Sequence, residues 1–214
     1  MADTASQVIS EAQGLLNDVG GALYTPDSLL PLLNKAYREL QNQLNLYGLR
    51  PTAEVAALQT IPANSTGLAT PINNLLRPIE IGERTPGSQE QFKTMDERSW
   101  EPDEPRTQHL RVWTWREEQI YFLGATMDRE IRIRYVKSLD ALTLGSTVAI
   151  TNALTVLAAR TAALAARHIG ENPTRASELD ADAAFNLDTF IVTSIRQNQG
   201  LPTRRRRSRY RVPN

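Results

Sequence analysis

The densest group of chemically active side chains lies at the C-terminal end of this 214-residue chain, where residues 203–214 contain no acidic residue. The group consists of Arg204, Arg205, Arg206, Arg207, Arg209 and Arg211, with Tyr210 among them. A guanidinium group can form two parallel hydrogen bonds with a carboxylate or a phosphate. Because like charges repel one another, such a block does not fold alone. We therefore predict an extended arm that becomes ordered on phosphate or on an acidic protein groove.

The remainder of the chain has the opposite charge. The sequence contains 24 Lys and Arg against 24 Asp and Glu, so removing the six arm arginines leaves 18 basic against 24 acidic side chains. The body therefore carries a net charge of about −6, and it repels the phosphates of nucleic acids. This contrast predicts that anionic partners are attracted by the arm and not by the body.

Residues for metal, cofactor or nucleophilic chemistry are scarce. The two histidines, His109 and His168, lie in different predicted elements without H-x-x-x-H spacing, and the chain has no cysteine. The sequence also lacks a G-x-x-x-x-G-K-[ST] phosphate loop, a dinucleotide glycine fingerprint and a G-x-S-x-G elbow. We predict a protein that is not an enzyme, with no catalytic residue, no metal and no cofactor.

Two clusters of carboxylates leave an enzymatic alternative open. Asp96, Glu97, Glu101, Asp103 and Glu104 surround Trp100, and Glu178, Asp180 and Asp182 lie on a predicted helix. Paired carboxylates hydrolyse glycosides when one has a raised pKa and the two have a fixed separation. We interpret the clusters as a solvated loop and a polar helix face. A cell-wall glycan hydrolase and a weak divalent-cation site remain as alternatives.

Three tryptophans lie close together in the sequence, and they have two interpretations. Nucleic-acid bases stack on aromatic side chains in proteins that bind single strands. However, Trp113 and Trp115 lie two residues apart on a predicted strand, so both point to the same face. We expect them to pack in the core or in an interface.

Length and composition indicate a soluble protein with one core, or one core with an inserted subdomain. The hydrophobic fraction of 41% and the charged fraction of 22% are ordinary for such a protein. The start, MADTASQVISEAQ, lacks the basic and apolar regions of a signal peptide. Residues 148–166 are apolar, but Arg160 would cost about 2.5–3.5 kcal/mol in a bilayer. We expect a buried or subunit-interface helix there, and assembly in the cytoplasm without a membrane.

Hydrophobic periodicity predicts two helices at each end of the chain. The first places Val8, Ala12, Leu15, Leu16 and Val19 on one face until Gly20 and Gly21 end it. The second begins at Thr25-Pro26-Asp27-Ser28, where Thr caps and Pro fits the first turn, and it runs to Gly48. The third has one face with Ile150, Leu154, Leu157, Leu164 and His168, and it ends at Gly170. The fourth begins at Asn172-Pro173 and continues for about 26 residues.

Between these helical pairs, the sequence predicts short strands. They cover residues 55–61, residues 75–81 with Pro78 marking an edge strand, and a hairpin formed by residues 109–115 and 119–123. In a further strand Ile131, Ile133 and Tyr135 alternate with arginines, which is typical of a half-buried strand.

We therefore predict a mainly α fold with a β insertion. Residues 1–50 form an N-terminal helical hairpin, and residues 141–200 form a C-terminal helical pair that packs with it as a four-helix core. Residues 51–140 form a small, mainly antiparallel sheet between them. Residues 201–214 form the extended basic arm.

This organisation resembles the head-to-tail adaptor proteins of tailed bacteriophages, also called connector or gateway proteins. Residues 24–40, YTPDSLLPLLNKAYREL, are similar to the turn and Leu-Leu-x-x-Leu-Asn-x-Ala-x-x-Glu pattern that opens the second helix in that family. Residues 95–102, MDERSWEP, are similar to a stretch of the family's β insertion, and a hairpin like residues 111–123 and a strand like residues 131–136 follow. The alanine-rich helical pair and the basic arm complete the likeness.

The resemblance implies a structural protein of the virion, located at the head–tail interface. Twelve copies would form a ring beneath the portal, extend the channel for passing viral DNA and present a surface to tail or nozzle proteins. The arm, with Arg204 to Arg207, Arg209, Tyr210 and Arg211, would anchor on the portal protein. The alanine-rich third helix would supply a tightly packed seam between copies. The alternative from another class is a nucleic-acid-binding protein whose arm grips RNA or DNA.

Overall fold

A computed structural model describes residues 3–100 and 104–198. The described chain divides into two compact units. The helical unit consists of residues 3–49 and 142–198, and the β unit consists of residues 50–141.

Within the described residues, the chain forms four helices and eight strands, which is a mixed α/β fold. The helices are α1 (Ala5–Leu15), α2 (Pro26–Leu46), α3 (Leu154–His168) and α4 (Pro173–Asn198). The strands are β1 (Ala53–Val55), β2 (Gln59–Ile61), β3 (Leu75–Arg84), β4 (Lys93–Thr94), β5 (Asp96–Arg98), β6 (Val112–Arg116), β7 (Gln119–Phe122) and β8 (Arg129–Lys137).

The prediction of a mainly α fold is therefore wrong, because the sequence pattern missed part of the strand content. The strands β4 and β5 are two and three residues long and fully exposed, so neither shows the alternation that marks a strand. The predicted run of residues 55–61 is in fact two strands, β1 and β2, with an interruption between them.

The first helix begins in a capping box. The Thr4 hydroxyl accepts a hydrogen bond from the Gln7 N–H, and the Gln7 side chain accepts one from the Thr4 N–H. The helix ends at Leu15, four residues earlier than the predicted Val19, which is 84% exposed. Asn17 adopts a left-handed backbone with φ of 57°, and this conformation stops the helix.

The loop between α1 and α2 is organised around the Asp18 carboxylate. It accepts hydrogen bonds from the N–H groups of Ala22, Leu23 and Tyr24 at 3.0, 2.9 and 2.7 Å. The chain then enters α2 with Thr25 as N-cap, its hydroxyl accepting from the Ser28 N–H, and with Pro26 in the first turn. The predicted start of the second helix is confirmed.

The alanine-rich helix α3 lies inside the helical unit, in contact with α1, α2 and α4. Ten of its fifteen residues are buried, so it is enclosed on most sides within a single copy. The prediction of a buried helix is confirmed, although the helix begins at Leu154 and not at Ile150. Its small side chains pack against these neighbours within one copy, and the expectation that it supplies a seam between copies stays a prediction. Among the described helices, none has both the length and the apolar character needed to cross a bilayer.

Helix α4 starts at the predicted position, where the Asn172 side-chain oxygen accepts a hydrogen bond from the Arg175 N–H. With 26 residues it is about 39 Å long, whereas α3 with 15 residues is about 22 Å long. Its buried residues Ala176, Leu179, Ala183 and Ile191 form one stripe. The opposite side of α4 is therefore exposed.

The β unit contains two sheets in place of the single sheet predicted. In the larger sheet β1, β8, β3 and β4 lie in that order, β2 also pairs with β8, and all pairs are antiparallel. In the smaller sheet β6 pairs in parallel with β5 and antiparallel with β7. Local periodicity does not reveal this parallel pair, because it carries no information on the relative direction of two strands.

The predicted hairpin is confirmed. The hairpin of β6 and β7 turns at Glu117 and Glu118, whose φ angles of 53° and 59° are those of a two-residue type I′ turn.

The prediction that Pro78 marks an edge strand is wrong, because its strand β3 lies between β8 and β4 in the sheet. Strand β4 pairs with β3 only at Gly82 and Glu83, so the missing N–H of Pro78 costs no hydrogen bond to β4.

Strand β8 has the predicted alternation. Ile131, Ile133 and Tyr135 are buried, while Arg132 and Arg134 are exposed. The buried side chains join one apolar cluster with residues from both sheets, including Ile61, Ile81, Leu110, Trp113 and Phe122. This cluster is the core of the β unit.

A buried ion pair lies beside that core. The carboxylate of Glu83 accepts hydrogen bonds from Arg129 Nε at 3.0 Å and from the N–H groups of Leu110 and Arg111 at 2.9 and 3.4 Å. Glu83 and Arg129 are 3% and 5% exposed. Arg111 is held at φ of 59°, a strained conformation for a residue with a side chain. The carboxylate therefore fixes the turn that leads into β6.

We predict that Glu83→Gln destabilises the β unit by about 3–5 kcal/mol, because it leaves the buried Arg129 charge without a counter-charge. All three tryptophans lie in the β unit, so urea unfolding followed by tryptophan fluorescence measures this effect. Glu117→Gln is the matched control, since Glu117 is exposed and its loss should change stability by less than about 0.5 kcal/mol. Equal stabilities of the two variants would contradict the prediction.

A second prediction concerns acid. The hydrogen bond from the Tyr24 N–H lowers the pKa of Asp18; burial opposes this, and the Leu23 and Ala22 N–H groups add to the lowering. A lowered folded-state pKa stabilises the fold above the unfolded pKa of about 3.9, and this stabilisation is lost as the pH falls through the folded value. In the Asp18→Asn variant, the free energy of unfolding of the helical unit should therefore fall less than in the unmodified protein as the pH is lowered from about 5 through the unfolded pKa of about 3.9. Urea unfolding followed by far-UV circular dichroism at several pH values measures this free energy. The same dependence on pH in both proteins would contradict the prediction.

Candidate interaction site

The residues predicted to anchor on the portal lie outside the part of the chain that the structure describes. They are Arg204, Arg205, Arg206, Arg207, Arg209, Tyr210 and Arg211. The arm that contains them follows α4, whose described part ends at Asn198. Their anchoring role therefore stays a prediction.

A groove of about 430 Å³ opens on the helical unit, between α2 and α4 and above α3. Its apolar lining includes Leu40 from α2, Val156 and Leu157 from α3, and Ala183 and Leu187 from α4. The groove forms because α2 and α4 both pack against the narrow, alanine-rich α3. It can accept an apolar side chain of a partner.

The groove is polar where an ion-pair network connects its three helices. Arg160 of α3 donates from Nε to Glu39 of α2 at 2.8 Å and from Nη1 to Asp180 of α4 at 2.6 Å. Arg167 of α3 also pairs with Asp180. The network connects the three helices and gives the groove a charged part beside its apolar lining.

Arg160 acts as a permanent charge. Burial alone would lower the pKa of its guanidinium, but the hydrogen bond to Glu39 and the charges of Glu39 and Asp180 raise the pKa above its ordinary value. Because the group stays protonated throughout the physiological range, it cannot transfer protons there. Arg160 therefore supplies a fixed positive charge to the groove.

A second surface lies on the outer side of α4, away from its buried stripe. Phe185 is 72% exposed and Val192 is 46% exposed, and seven residues, or about two turns, separate them. The carboxylates of Asp182 and Asp188 flank Phe185 three residues before and after it, and both residues are exposed. Sequence reasoning missed this surface, although the spacing of Phe185 and Val192 opposite the buried stripe could have identified it.

The structure does not combine the two histidines into a site. His109 belongs to the β unit, where its Nδ1 lies 3.6 Å from Glu83 Oε1, and His168 lies exposed on α3 of the helical unit. The expectation that His168 lies on the apolar face of its helix is therefore wrong. Within residues 3–100 and 104–198, no group of three His, Asp or Glu side chains could hold a metal ion.

The described carboxylates of the two predicted clusters are exposed or ion-paired. Asp96 and Glu97 lie on the exposed strand β5, and Glu104 pairs with Arg98 at 3.1 Å. On α4, Glu178 pairs with Arg175 at 2.9 Å, and Asp180 belongs to the groove network. Glu101 and Asp103 lie outside the described residues. A glycosidase needs two facing carboxylates, one of them enclosed by apolar side chains. The described carboxylates of these two clusters do not form such a pair.

The prediction that Trp113 and Trp115 pack in the core is confirmed. Trp113 is 2% exposed, and Trp115 packs against the same apolar cluster. Only Trp100 among the tryptophans is largely exposed, at 72%. A stacking surface of three tryptophans is therefore excluded for this arrangement of the β unit.

The sequence matches no protein-family model, and no curated protein matches it. The functional assignment therefore depends on the residues and geometry of the chain itself.

We predict that Arg160→Met destabilises the helical unit by about 1–3 kcal/mol, because Glu39 and Asp180 lose hydrogen bonds to a charged donor. Partial exposure of the network keeps the loss below that of a fully buried pair. Urea unfolding followed by helical circular dichroism measures the change. Arg38→Met on α2 is the control, since Arg38 is exposed, and equal effects of the two substitutions would contradict the role of the network.

Proposed function

We propose that this chain is a structural head-to-tail adaptor of a tailed phage. Twelve copies form a ring beneath the portal, extend the channel for viral DNA and receive tail or nozzle proteins on the other side. The protein is assembled in the host cytoplasm and becomes part of the virion. It needs no cofactor and acts by binding, without catalysis.

The observation that carries this proposal is the arrangement of the units along the chain. Both ends of the chain contribute helices to one unit, the β unit is inserted between them, and a basic arm follows the last helix. The same order, with the pattern of residues 24–40 at the start of α2, is the basis of the resemblance to head-to-tail adaptors. The binding groove and the permanently charged Arg160 support a role in assembly.

The arm provides the means of attachment. Twelve extended residues reach about 40 Å at roughly 3.3 Å each, which is enough to leave one subunit and lie along another ring. Its guanidinium groups pair with carboxylates of the portal. The acidic body supports the proposed role as a channel for DNA, since a surface of net negative charge lets DNA pass without adhering.

We expect that replacing all six arm arginines by glutamine abolishes attachment to the portal while the body stays folded. Six exposed ion pairs of roughly 0.5 kcal/mol each amount to about 3 kcal/mol, or about a hundredfold in affinity. The measurement is binding to the portal protein encoded in the same genome, by light scattering and by electron microscopy of the complexes. The matched control replaces the same arginines by lysine, which keeps the charge and should retain part of the binding.

Attachment that is unchanged in the glutamine variant would refute the anchoring role. The nucleic-acid alternative has a different signature: six contacts with phosphate give a slope of about −5 for log affinity against log salt on duplex DNA. Such binding, with no affinity for the portal, would favour a nucleic-acid-binding protein. A complex of twelve copies on the portal, found by mass measurement, would support the adaptor.

A further inference from the structure

We propose that neighbouring copies associate by placing the outer face of α4 of one copy against the groove between α2 and α4 of the next. The outer face consists of Asp182, Phe185, Asp188 and Val192, and Phe185 enters the groove. This inference rests on the ring proposed above and identifies the surfaces that build it.

The two surfaces are suited to such a contact because they differ and because both belong to the helical unit. The groove lies beside α3, whereas Phe185 lies on the side of α4 that faces away from the buried stripe. A contact between two different surfaces is heterologous, and its repetition closes into a ring or continues as a filament. A contact between two identical surfaces would give only a dimer.

The apolar parts match in kind. Phe185 is a large aromatic side chain left 72% exposed in the middle of a helix. The groove of about 430 Å³ has an apolar floor formed by Leu40, Val156 and Leu157. Burying an aromatic anchor in such a pocket is the usual source of affinity at protein interfaces.

The charges at the borders of the two surfaces are complementary. Asp182 and Asp188 flank Phe185 on α4, and both are exposed without an ion pair to any described side chain. On α2, Lys35 and Arg38 lie one turn before Glu39 and Asn42 of the groove, and both are also exposed without a described ion pair. Docking brings acidic side chains of one copy towards basic side chains of the next.

The same charges argue against the chain's own arm as the occupant. The arm carries six arginines and would meet Lys35 and Arg38 beside the groove, which is a repulsive contact. The acidic border of Phe185 meets carboxylates in the groove, Glu39 and Asp180, that are already ion-paired with Arg160. A second copy therefore fits the groove better than residues 203–214 do.

The chain has no cysteine, so the contact can be tested with single introduced thiols. One preparation carries Ala181→Cys, at an exposed position one turn before Phe185 on α4, and another carries Gln43→Cys at the groove. The two are mixed, alone and with the portal protein, and treated with a short bismaleimide linker. We expect a cross-linked dimer that contains one chain of each kind, identified by mass.

Ser10→Cys on α1 is the matched control for Gln43→Cys, since Ser10 is exposed and does not line the groove. Cross-linking of Ala181→Cys to Ser10→Cys as strongly as to Gln43→Cys would overturn the proposal. So would the absence of the mixed dimer both with and without portal, or a product formed only between two Ala181→Cys chains.

A binding measurement provides a second arm of the test. Phe185→Ala should weaken the association of copies by roughly thirtyfold, as truncation of a buried aromatic anchor does. Asp182→Lys with Asp188→Lys should also weaken it. Mixing that variant with copies carrying Lys35→Glu and Arg38→Glu should restore contact between the two kinds of chain. Failure of this restoration, with both variants folded by circular dichroism, would overturn the charge pairing and with it the proposed docking.

The outcomes separate this inference from the proposed function. Twelvefold complexes on the portal whose copies do not cross-link from Ala181→Cys to Gln43→Cys would overturn the interface and leave the adaptor function standing. Mixed cross-links between copies that have no affinity for the portal would support the interface and count against the adaptor.

Discussion

The helical unit depends on the close approach of three helices to α3. Alanine at six of the fifteen positions of this helix lets α1, α2 and α4 pack near its backbone, which larger side chains would prevent. The same narrowness leaves a space between α2 and α4, and this space is the groove. The long side chain of Arg160 on this helix reaches out to carboxylates on both of these neighbours. The packing of one small-residue helix thus accounts for the core, the groove and the ion-pair network.

The β unit is organised by a different interaction. Glu83 is buried with Arg129, and its carboxylate also binds two backbone N–H groups in the turn before β6. This turn contains a strained residue, Arg111, so the carboxylate stabilises a conformation that the chain would otherwise avoid. Leu110 of this turn and Trp113 of the strand that follows both belong to the apolar cluster of the β unit. One buried ion pair therefore links backbone geometry to the core.

Local sequence signals predicted the helices and the longer strands well. Thr25-Pro26 and Asn172-Pro173 mark the starts of α2 and α4 because caps and proline act within one turn. The alternation of Ile131, Ile133 and Tyr135 identified β8, because side chains two positions apart on a strand point to the same face. The signals failed for β4 and β5, which are short and exposed, and for the parallel pairing of β5 with β6. They also failed for the groove and for the outer face of α4, since the groove requires three helices that are distant in sequence and Phe185 is noticed only when the buried side of α4 is known.

The sequence by itself determined the charge contrast between the body and the arm, the scarcity of catalytic groups and the positions of the helix starts, because these depend on residue type and near neighbours. Only the tertiary structure decided that α3 is enclosed within one copy, that Glu83 meets Arg129 and that Arg160 joins three helices. Each of these contacts joins residues 20 to 121 positions apart or the faces of several helices. Burial and ion pairing over such separations are set by how the elements pack, which no local pattern records.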